Sequence, residues 1–334
     1  MTRTPKNENK AFANLQPEHI LEVLESLSFH CDGRFLALNS YENRVYQVGI
    51  EEQRPVVAKF YRPGRWSDEA IIEEHDFNRE LDDADIPVVA PLTINGDTLH
   101  HDGPYRLAVY PCHGGRAPDL DNTDLLKQLG RLVARIHRVG ETNSFSSRPT
   151  VEIDSYGTKS CEFLLDNDFI PMDLHPAYES TAELVLDEVE ACYSRAGIIN
   201  EFRIHADFHP GNVLVQGERL HIVDLDDTRH GPAVQDLWMF LSGDKEEQSP
   251  QLDALLAGYT EFREFETREL NLIEALRSLR IMHYAAWIAR RWEDPAFKIA
   301  FPWFDSPKYW EEHVLALREQ VALMQEPPIE WRPA

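Results

Sequence analysis

Two acidic motifs, close together in the chain, constrain its fold more than any other feature of its 334 residues. Residues 205–212 read His-Ala-Asp-Phe-His-Pro-Gly-Asn, and residues 222–227 read Ile-Val-Asp-Leu-Asp-Asp. The apolar runs at 213–215 and 220–223 predict two short strands with a turn around Gly217. The two motifs therefore flank a predicted β-hairpin.

The hairpin would gather polar side chains at one end. Paired antiparallel strands begin and end together, so Asn212 and Asp224 would share that end, with Asp207 in the preceding loop. Phosphoryl transfer needs one carboxylate that accepts or orients the proton of an attacking hydroxyl. It also needs an amide and a second carboxylate that hold Mg²⁺ against the nucleotide phosphates. The pattern is typical of a kinase catalytic loop and metal-binding strand.

A zinc site is the sharper alternative interpretation of the first motif. His205, Asp207 and His209 alternate, so on an extended segment they would face one way, and His/Asp/His suits a Zn²⁺ hydrolase. The Pro-Gly pair that follows at 210–211 argues against a continuing strand. An ordinary turn with solvated acidic ends is the other alternative.

Upstream residues favour the kinase interpretation. Lys59 lies in the β-rich run 55–60, placed like the Lys of a Val-Ala-x-Lys third strand that pairs with the α- and β-phosphates. Fifteen residues on, Glu74 lies in the amphipathic run 70–77, where a helix-borne carboxylate would orient Lys59. Glu73 is the alternative, and the sequence does not decide between the two.

The expected phosphate-binding loop, within residues 36–48, contains no glycine. Glycine-rich loops bring bare backbone N–H groups close to phosphates. Here the short side chains of Ser40 and Asn43 would have to help the N–H groups of the turn.

With these elements placed, the chain resembles the bacterial Ser/Thr protein kinases built on the aminoglycoside phosphotransferase/choline kinase version of the kinase fold. The matching segments are 38–46, 58–63, the loop ending in Gly211-Asn212, 223–227, 231–239, 290–292 and 294–297. The resemblance implies that Asp207 is the proton acceptor, that Asn212 and Asp224 bind Mg²⁺, and that Ser40 lies at the ATP site. Asp224 thereby counts as catalytic as well as metal-binding. Ala206 stands where many relatives carry Gly.

The resemblance implies an ATP- and Mg²⁺-dependent phosphotransferase that acts on Ser or Thr of proteins in the bacterial stress response. A kinase for an amino alcohol or aminoglycoside is the alternative. Only eleven residues separate Asp224 from Asp236, too few for the long segment on which most eukaryotic protein kinases dock peptides. A pseudokinase is disfavoured because the predicted catalytic and binding residues are intact, namely Lys59, Asp207, Asn212 and Asp224.

The expected fold is α+β and bilobal, like that of protein kinases. Residues 1–112 would form a nucleotide-binding lobe with an antiparallel sheet and a helix, and residues 113–334 a mostly helical catalytic and substrate lobe. Tyr110 and Cys112, with Val109, would line the base pocket near the hinge. We predict helices at 17–27 and 125–137, strands near 35–39, 44–49, 55–61, 91–94 and 105–111, and irregular structure at 140–180.

Composition sets limits on location and partners. A net charge of −25 argues against binding nucleic acid or anionic lipid, whose phosphates it would repel. The four cysteines are scattered and form no Cys-x-x-Cys pair, which predicts reduced thiols in a cytoplasmic protein. Residues 2–10 are too polar for a signal peptide, and no apolar run approaches membrane-spanning length. We expect a monomer.

Two further features remain open at this level. Arg280, Tyr284, Trp287 and Arg291 would share one side of a helix, either as a pocket for an anionic acceptor or as a core helix whose arginines pair with carboxylates. Asp236 would either cap a helix or accept hydrogen bonds from the catalytic loop.

Overall fold

The computed structural model describes residues 11–12 and 14–331, and the fold is α+β. The chain divides into two compact units. The first contains the described residues up to Pro118, Phe145–Arg148 and Pro210–Asp227; the second contains Asp119–Ser144, Pro149–His209 and the described residues from Thr228 onwards. The lobe boundary at residue 112 stays a prediction.

The first unit is built on a five-stranded antiparallel sheet. Its strands are β1 Cys31–Ala37, β2 Arg44–Ile50, β3 Val56–Tyr61, β4 His100–Asp102 and β5 Tyr105–Pro111, in the order β1-β2-β3-β5-β4. Helix α1, Pro17–Ser26, packs its buried residues with Ala58 and Phe60 of β3. Successive side chains of a strand alternate between faces, so Lys59 and Tyr61 lie on the other face.

Helix α2, Asp68–Asp83, packs on that other face. The Ser67 side chain caps it by accepting a hydrogen bond from the Ala70 N–H, and Asp68 lies in its first turn, where a negative charge favours the helix dipole. Ile71 packs against Tyr61. Glu74 is one turn further along the same buried side.

The strand predicted at 91–94 is wrong. Pro91 has no N–H to donate, and Leu92 alone bonds to β5, through Val109 O at 2.7 Å. The chain then reverses at Asn95-Gly96, both with positive φ, and the edge strand is β4.

The predicted hairpin closes the first unit. Strands β7, Val213–Gln216, and β8, Arg219–Ile222, pair antiparallel with Val213 opposite Ile222. Gly217, with a φ of 63°, makes the turn in the left-handed region that glycine enters without strain.

The second unit is mostly helical. It contains α3 Thr123–Gly140, α4 Lys159–Asp166, α5 His175–Ala196, α6 Lys245–Tyr259, α7 Ile273–Arg290, α8 Pro295–Ala300 and α9 Pro307–Gln325, with the paired strands β6 Phe202–Ile204 and β9 Arg229–Gly231. Within the described ranges, every helix is too short or too polar to span a bilayer.

Much of the segment 140–180 is helical, so the prediction of irregular structure there is wrong. A π-helical turn at Asp154–Thr158 leads into α4, and α5 begins at His175. Gly157 packs against Leu279 of α7, which shows that a buried face exists beneath the polar residues. The proline at the start of α5 occupies a first-turn position, where it favours a helix start.

Helices α3 and α6 cross at unusually short range. A Cβ on Gly130 would lie 1.9 Å from Leu255 O, and one on Gly258 would lie 1.9 Å from Lys127 O. Each glycine is therefore required by the opposite backbone.

Candidate nucleotide and phosphotransfer site

A cavity of about 400 Å³ lies within the first unit, in the size range of small-molecule sites. It gathers residues from the glycine-free loop, β3, α2, β5 and the open end of the hairpin. The predicted site residues among its lining are Ser40, Lys59, Glu74, Tyr110, Cys112, Asn212 and Asp224. Val109, in contrast, is fully buried in the core beneath the sheet.

Lys59 is the electrostatic centre of this cavity. Its Nζ lies 3.1 Å from Asp224 Oδ1, 3.1 Å from Asp226 Oδ1 and 3.6 Å from Glu74 Oε1. Burial alone would lower the pKa of Lys59, but the three carboxylates raise that pKa well above its usual value. Lys59 is therefore a permanent cation in the site.

The choice left open between Glu73 and Glu74 has a geometric answer. Glu74 is buried and approaches Lys59, whereas the Glu73 carboxylate accepts hydrogen bonds from the backbone N–H groups of Ser146 and Ser147, at 2.7 and 2.9 Å. Burial raises the pKa of Glu74 to about 7, with Asp226 adding to the rise and Lys59 opposing it.

Asp226 was given no role by the sequence, yet its carboxylate is buried beside Lys59. It also pairs with Arg65, which bonds in addition to Asp227 at 2.7 Å. Burial would raise the pKa of Asp226, but Lys59 and Arg65 together lower it, so Asp226 stays ionised. A run of acids after a strand is the only sequence signal for this residue.

The loop between β1 and β2 is anchored by side chains. Asn43 is buried: its Nδ2 donates to Asp226 Oδ2 at 3.2 Å, and its Oδ1 accepts from the Arg62 N–H at 3.0 Å. The Arg62 guanidinium donates to Glu42 O at 2.9 Å. The structure thus places Ser40 on the cavity wall and Asn43 behind it, where it ties the loop to the residues after β8.

Asn212 and Asp224 flank the open end of the hairpin and both line the cavity. Val223 N–H donates to Asn212 O at 3.0 Å, which holds the two positions together. The Asp224 side chain is 53% exposed and its φ is 62°, in the left-handed region that Asp tolerates better than most residues. Strained backbone of this kind is concentrated at functional sites.

Asp207 belongs to the second unit and pairs with Arg280 of α7. Arg280 Nη1 lies 2.6 Å from Asp207 Oδ1, and His209 Nε2 lies 3.5 Å from Asp207 Oδ2. The sequence placed Arg280 on a helix side without connecting it to Asp207. The contact is an arginine–carboxylate pair, as the second of the two interpretations of that helix expects, and its carboxylate is the predicted base.

Further along α7 the side chains form an aromatic cluster. The rings of Tyr284 and Trp287 stack at 5.6 Å, and Trp287 also packs on Phe297 at 5.0 Å. Arg291 Nη1 donates to Trp287 O at 3.0 Å. The aromatic side chains at this end of α7 therefore pack together as a partly exposed hydrophobic cluster.

Asp236 supports the loop that carries Asp207. Its Oδ2 accepts from the His205 N–H at 2.8 Å, and its Oδ1 from the Ala206 N–H at 2.7 Å. Oδ2 also lies 3.1 Å from His137 Nε2, and burial lowers the pKa of His137, so the imidazole is neutral and donates. Of the two sequence alternatives, hydrogen bonding to the catalytic loop is the one observed.

The zinc alternative has no geometric support. His205 is fully buried and packs against the Phe208 ring at 4.9 Å. In the part of the chain that the structure describes, no group of three His, Cys, Asp or Glu side chains is arranged to hold a metal ion.

Comparison with known proteins identifies the class that this fold and site define. Residues 34–272 match the model of the phosphotransferase enzyme family (APH), and the chain belongs to that family. It is a kinase, with the kinase-like fold that the sequence predicts.

Two of its relatives are named as particular kinases. The chain is 41% identical over 322 residues to stress response kinase A of Escherichia coli strain K12, covering 96% of this chain and 97% of the relative. It is likewise 41% identical, over the same shares, to serine/threonine protein kinase RdoA of Salmonella typhimurium strain LT2.

A solved structure agrees in fold. The amicoumacin kinase hAmiN, in complex with AMP-PNP, Ca²⁺ and Ami, superposes with a TM-score of 0.72 at 19% identity, over 94% of this chain and 95% of that one. The likeness shows that this chain has the fold of that kinase, whose own complex contains the ATP analogue AMP-PNP.

Proposed function

We propose that this chain transfers the γ-phosphoryl group of ATP, with Mg²⁺, to Ser or Thr hydroxyls of proteins, as a monomeric cytoplasmic kinase of the bacterial stress response. One observation carries the proposal: 41% identity over nearly the whole chain to relatives named as a stress response kinase and a serine/threonine protein kinase.

The nucleotide is proposed to lie in the cavity of the first unit. Tyr110 and Cys112 would line the base pocket, and Lys59 would bind phosphate oxygens while Glu74 orients its ammonium group. The loop at Ser40 would contribute backbone N–H groups.

Asn212 and Asp224 fit a magnesium ion by donor chemistry. An amide oxygen and a carboxylate are ligands that Mg²⁺ accepts, and both side chains line the cavity that holds Lys59. Bound Mg²⁺ neutralises charge that develops on the transferred phosphoryl group. Lys59 would keep Asp224 oriented through the 3.1 Å contact when the ion is not bound.

Asp207 is proposed to orient the acceptor hydroxyl and accept its proton. Arg280 bonds to Oδ1 and so orients the carboxylate, and Oδ2, which lies 3.5 Å from His209 Nε2, is the oxygen that would accept the proton. The two bonds that Asp236 accepts fix the backbone immediately before Asp207.

A small-molecule kinase is the second candidate. The short interval between Asp224 and Asp236 favours it, since it leaves little chain on which to dock a peptide.

The test is a labelling assay with [γ-³²P]ATP and Mg²⁺. Wild-type enzyme is incubated with a basic generic protein, and in parallel with a panel of amino alcohols and aminoglycosides. We expect label on Ser or Thr by phosphoamino-acid analysis. Asp207→Asn should lower kcat by about 10²–10⁴-fold with ATP binding retained, and Asp224→Ala should abolish turnover.

Asp253→Asn, at an exposed position on α6, is the matched control and should keep wild-type activity. Quantitative phosphorylation of one small molecule with no label on protein would move the acceptor to the second candidate. Full activity of Asp224→Ala would overturn the site.

A further inference from the structure

Arg148 is a buried cation that the sequence did not single out. It belongs to the segment Phe145–Arg148, which is part of the first unit although its neighbours in sequence are not. The guanidinium is fully buried and donates hydrogen bonds from Nε to Ala70 O at 2.8 Å, from Nη1 to Asp226 O at 2.7 Å and from Nη2 to Glu74 Oε2 at 3.4 Å.

These partners belong to two different elements of the nucleotide site. Ala70 and Glu74 are one turn apart on α2, and Asp226 follows Asp224 by two residues. Because a guanidinium is planar and its donors are fixed in a fork, it sets the distance between the groups it bridges. The indole of Trp66, 4.5 Å from the guanidinium carbon, covers one face.

The other residues of the segment Phe145–Arg148 also contact α2. Glu73, on α2, accepts the backbone N–H groups of Ser146 and Ser147, and the ring of Phe145 packs edge-to-face on Phe77 at 5.6 Å. The contacts of Phe145, Ser146 and Ser147 with α2 therefore hold Arg148 in position beside that helix.

Glu74 divides its two oxygens between two cations. Oε1 lies 3.6 Å from Lys59 Nζ, and Oε2 lies 3.4 Å from Arg148 Nη2. Removing Arg148 would leave the buried Glu74 carboxylate with one cation, and would release the Asp226 carbonyl from α2.

We propose that Arg148 is a positioning residue for phosphoryl transfer: it locks Glu74 and the backbone at Asp226 in the geometry in which both carboxylates hold Lys59. This inference rests on the nucleotide half of the proposed function and is independent of the acceptor.

The test compares Arg148→Met and Arg148→Lys with wild type by basal ATP turnover and by labelling of Lys59. The label is an acyl-phosphate derivative of ATP, which transfers its acyl group to an amine beside the phosphates and is located by mass spectrometry. A misplacement of about 1 Å at a reacting group is worth on the order of 10²-fold, so Arg148→Met should lower kcat/KM for ATP by about that factor. Labelling of Lys59 should fall in parallel, and Arg148→Lys should be intermediate.

A double mutant separates positioning from general stabilisation. If Arg148 acts through Glu74, then Arg148→Met in the Glu74→Gln background should add little further loss. The control is Arg195→Met on α5, which removes hydrogen bonds to Met324 O and Cys192 Sγ and should change thermal stability without changing kcat/KM.

Wild-type kcat/KM and Lys59 labelling in Arg148→Met would overturn the inference, and fully additive losses with Glu74→Gln would overturn the part of it that acts through Glu74. If Arg148→Met does not fold, Arg148→Lys and Glu73→Gln carry the same test, because each loosens the segment on α2. Failure of the probe to label wild-type Lys59 would instead overturn the proposed nucleotide site itself.

Discussion

Replacing Asp236 by Asn should destabilise the protein and slow catalysis, because Asn cannot accept both of the hydrogen bonds that the Asp236 carboxylate accepts from the backbone N–H groups of His205 and Ala206. Asn keeps an acceptor oxygen for the Ala206 N–H but presents an amino group where Oδ2 accepted from the His205 N–H. His137 can adapt, because its other tautomer accepts from that amino group and donates through Nδ1 to the Tyr259 hydroxyl, 2.9 Å away. The loss then falls on the buried N–H of His205, while the Tyr259 hydroxyl, which already accepts from Arg263, loses His137 as its acceptor.

An orphaned buried donor costs about 1–3 kcal/mol, which is the expected decrease in the free energy of unfolding. The loop that carries Asp207 loses one of its two ties to Asp236, so kcat should fall by roughly 10²-fold. KM for ATP should stay within about twofold, because Asp236 contributes nothing to ground-state binding of the nucleotide.

The assays are urea unfolding and steady-state kinetics, with the exposed Asp253→Asn as control, which should change stability by no more than about 0.5 kcal/mol. Unchanged stability and unchanged kcat in Asp236→Asn would refute the argument. A large rise in KM with kcat preserved would show that Asp236 acts on nucleotide binding instead.

Three further substitutions test the backbone and the core. Ala206, with a φ of 67°, should accept Gly with a gain of up to about 1 kcal/mol in thermal unfolding and kcat retained; a lowered Tm would contradict this. Gly130→Ala, whose Cβ would overlap Leu255 O, should lose about 1–3 kcal/mol or more in urea unfolding, and wild-type stability would refute the close crossing. Burial lowers the pKa of His313 to about 4, so on acidification the unfolded chain takes up the proton before the folded chain does. The free energy of unfolding of wild type should therefore fall, relative to that of His313→Leu, by about 1.4 kcal/mol per pH unit from pH 6.5 to pH 4. A difference that does not depend on pH would refute this.

The sequence predicted those parts of the site that local patterns encode. Alternation along β3 places Lys59 on one face, and the hairpin register places Asn212 and Asp224 at one end. The amphipathic run of α2 predicted a carboxylate near Lys59 but left Glu73 and Glu74 as alternatives, and the structure has Glu74 there. Each of these positions depends on neighbours within about one strand or one helical turn. Their chemical roles remain predictions.

The electrostatic frame around these residues was not predictable in the same way. Arg65 and Arg148 meet Asp226 only through the tertiary fold, from positions 161 and 78 residues away in the chain. Arg148 also lies in irregular backbone, where no period marks a buried side. A charged residue in such a segment looks like a solvated one until its partners are known.

Predictions from local patterns were wrong where a single proline or turn residue determined the backbone conformation. The apolar run at 91–94 contains a proline and ends at an Asn-Gly turn, and the turn chemistry decided the outcome. The proline near the start of α5 had the opposite effect, since a helix tolerates proline in its first turn.

The side-chain anchors of the glycine-free loop determine the step at which the loop loses its conformational entropy. A glycine-rich loop is free to move and must be ordered as the nucleotide binds, which subtracts from the affinity. Here the bonds of Asn43 to Asp226 and to the Arg62 N–H order the loop while the protein folds, so the loop would already have its final shape when it meets the proposed nucleotide. The loop should accordingly adapt little to a triphosphate of altered shape. Substitutions that weaken these anchors should lower nucleotide affinity and fold stability together.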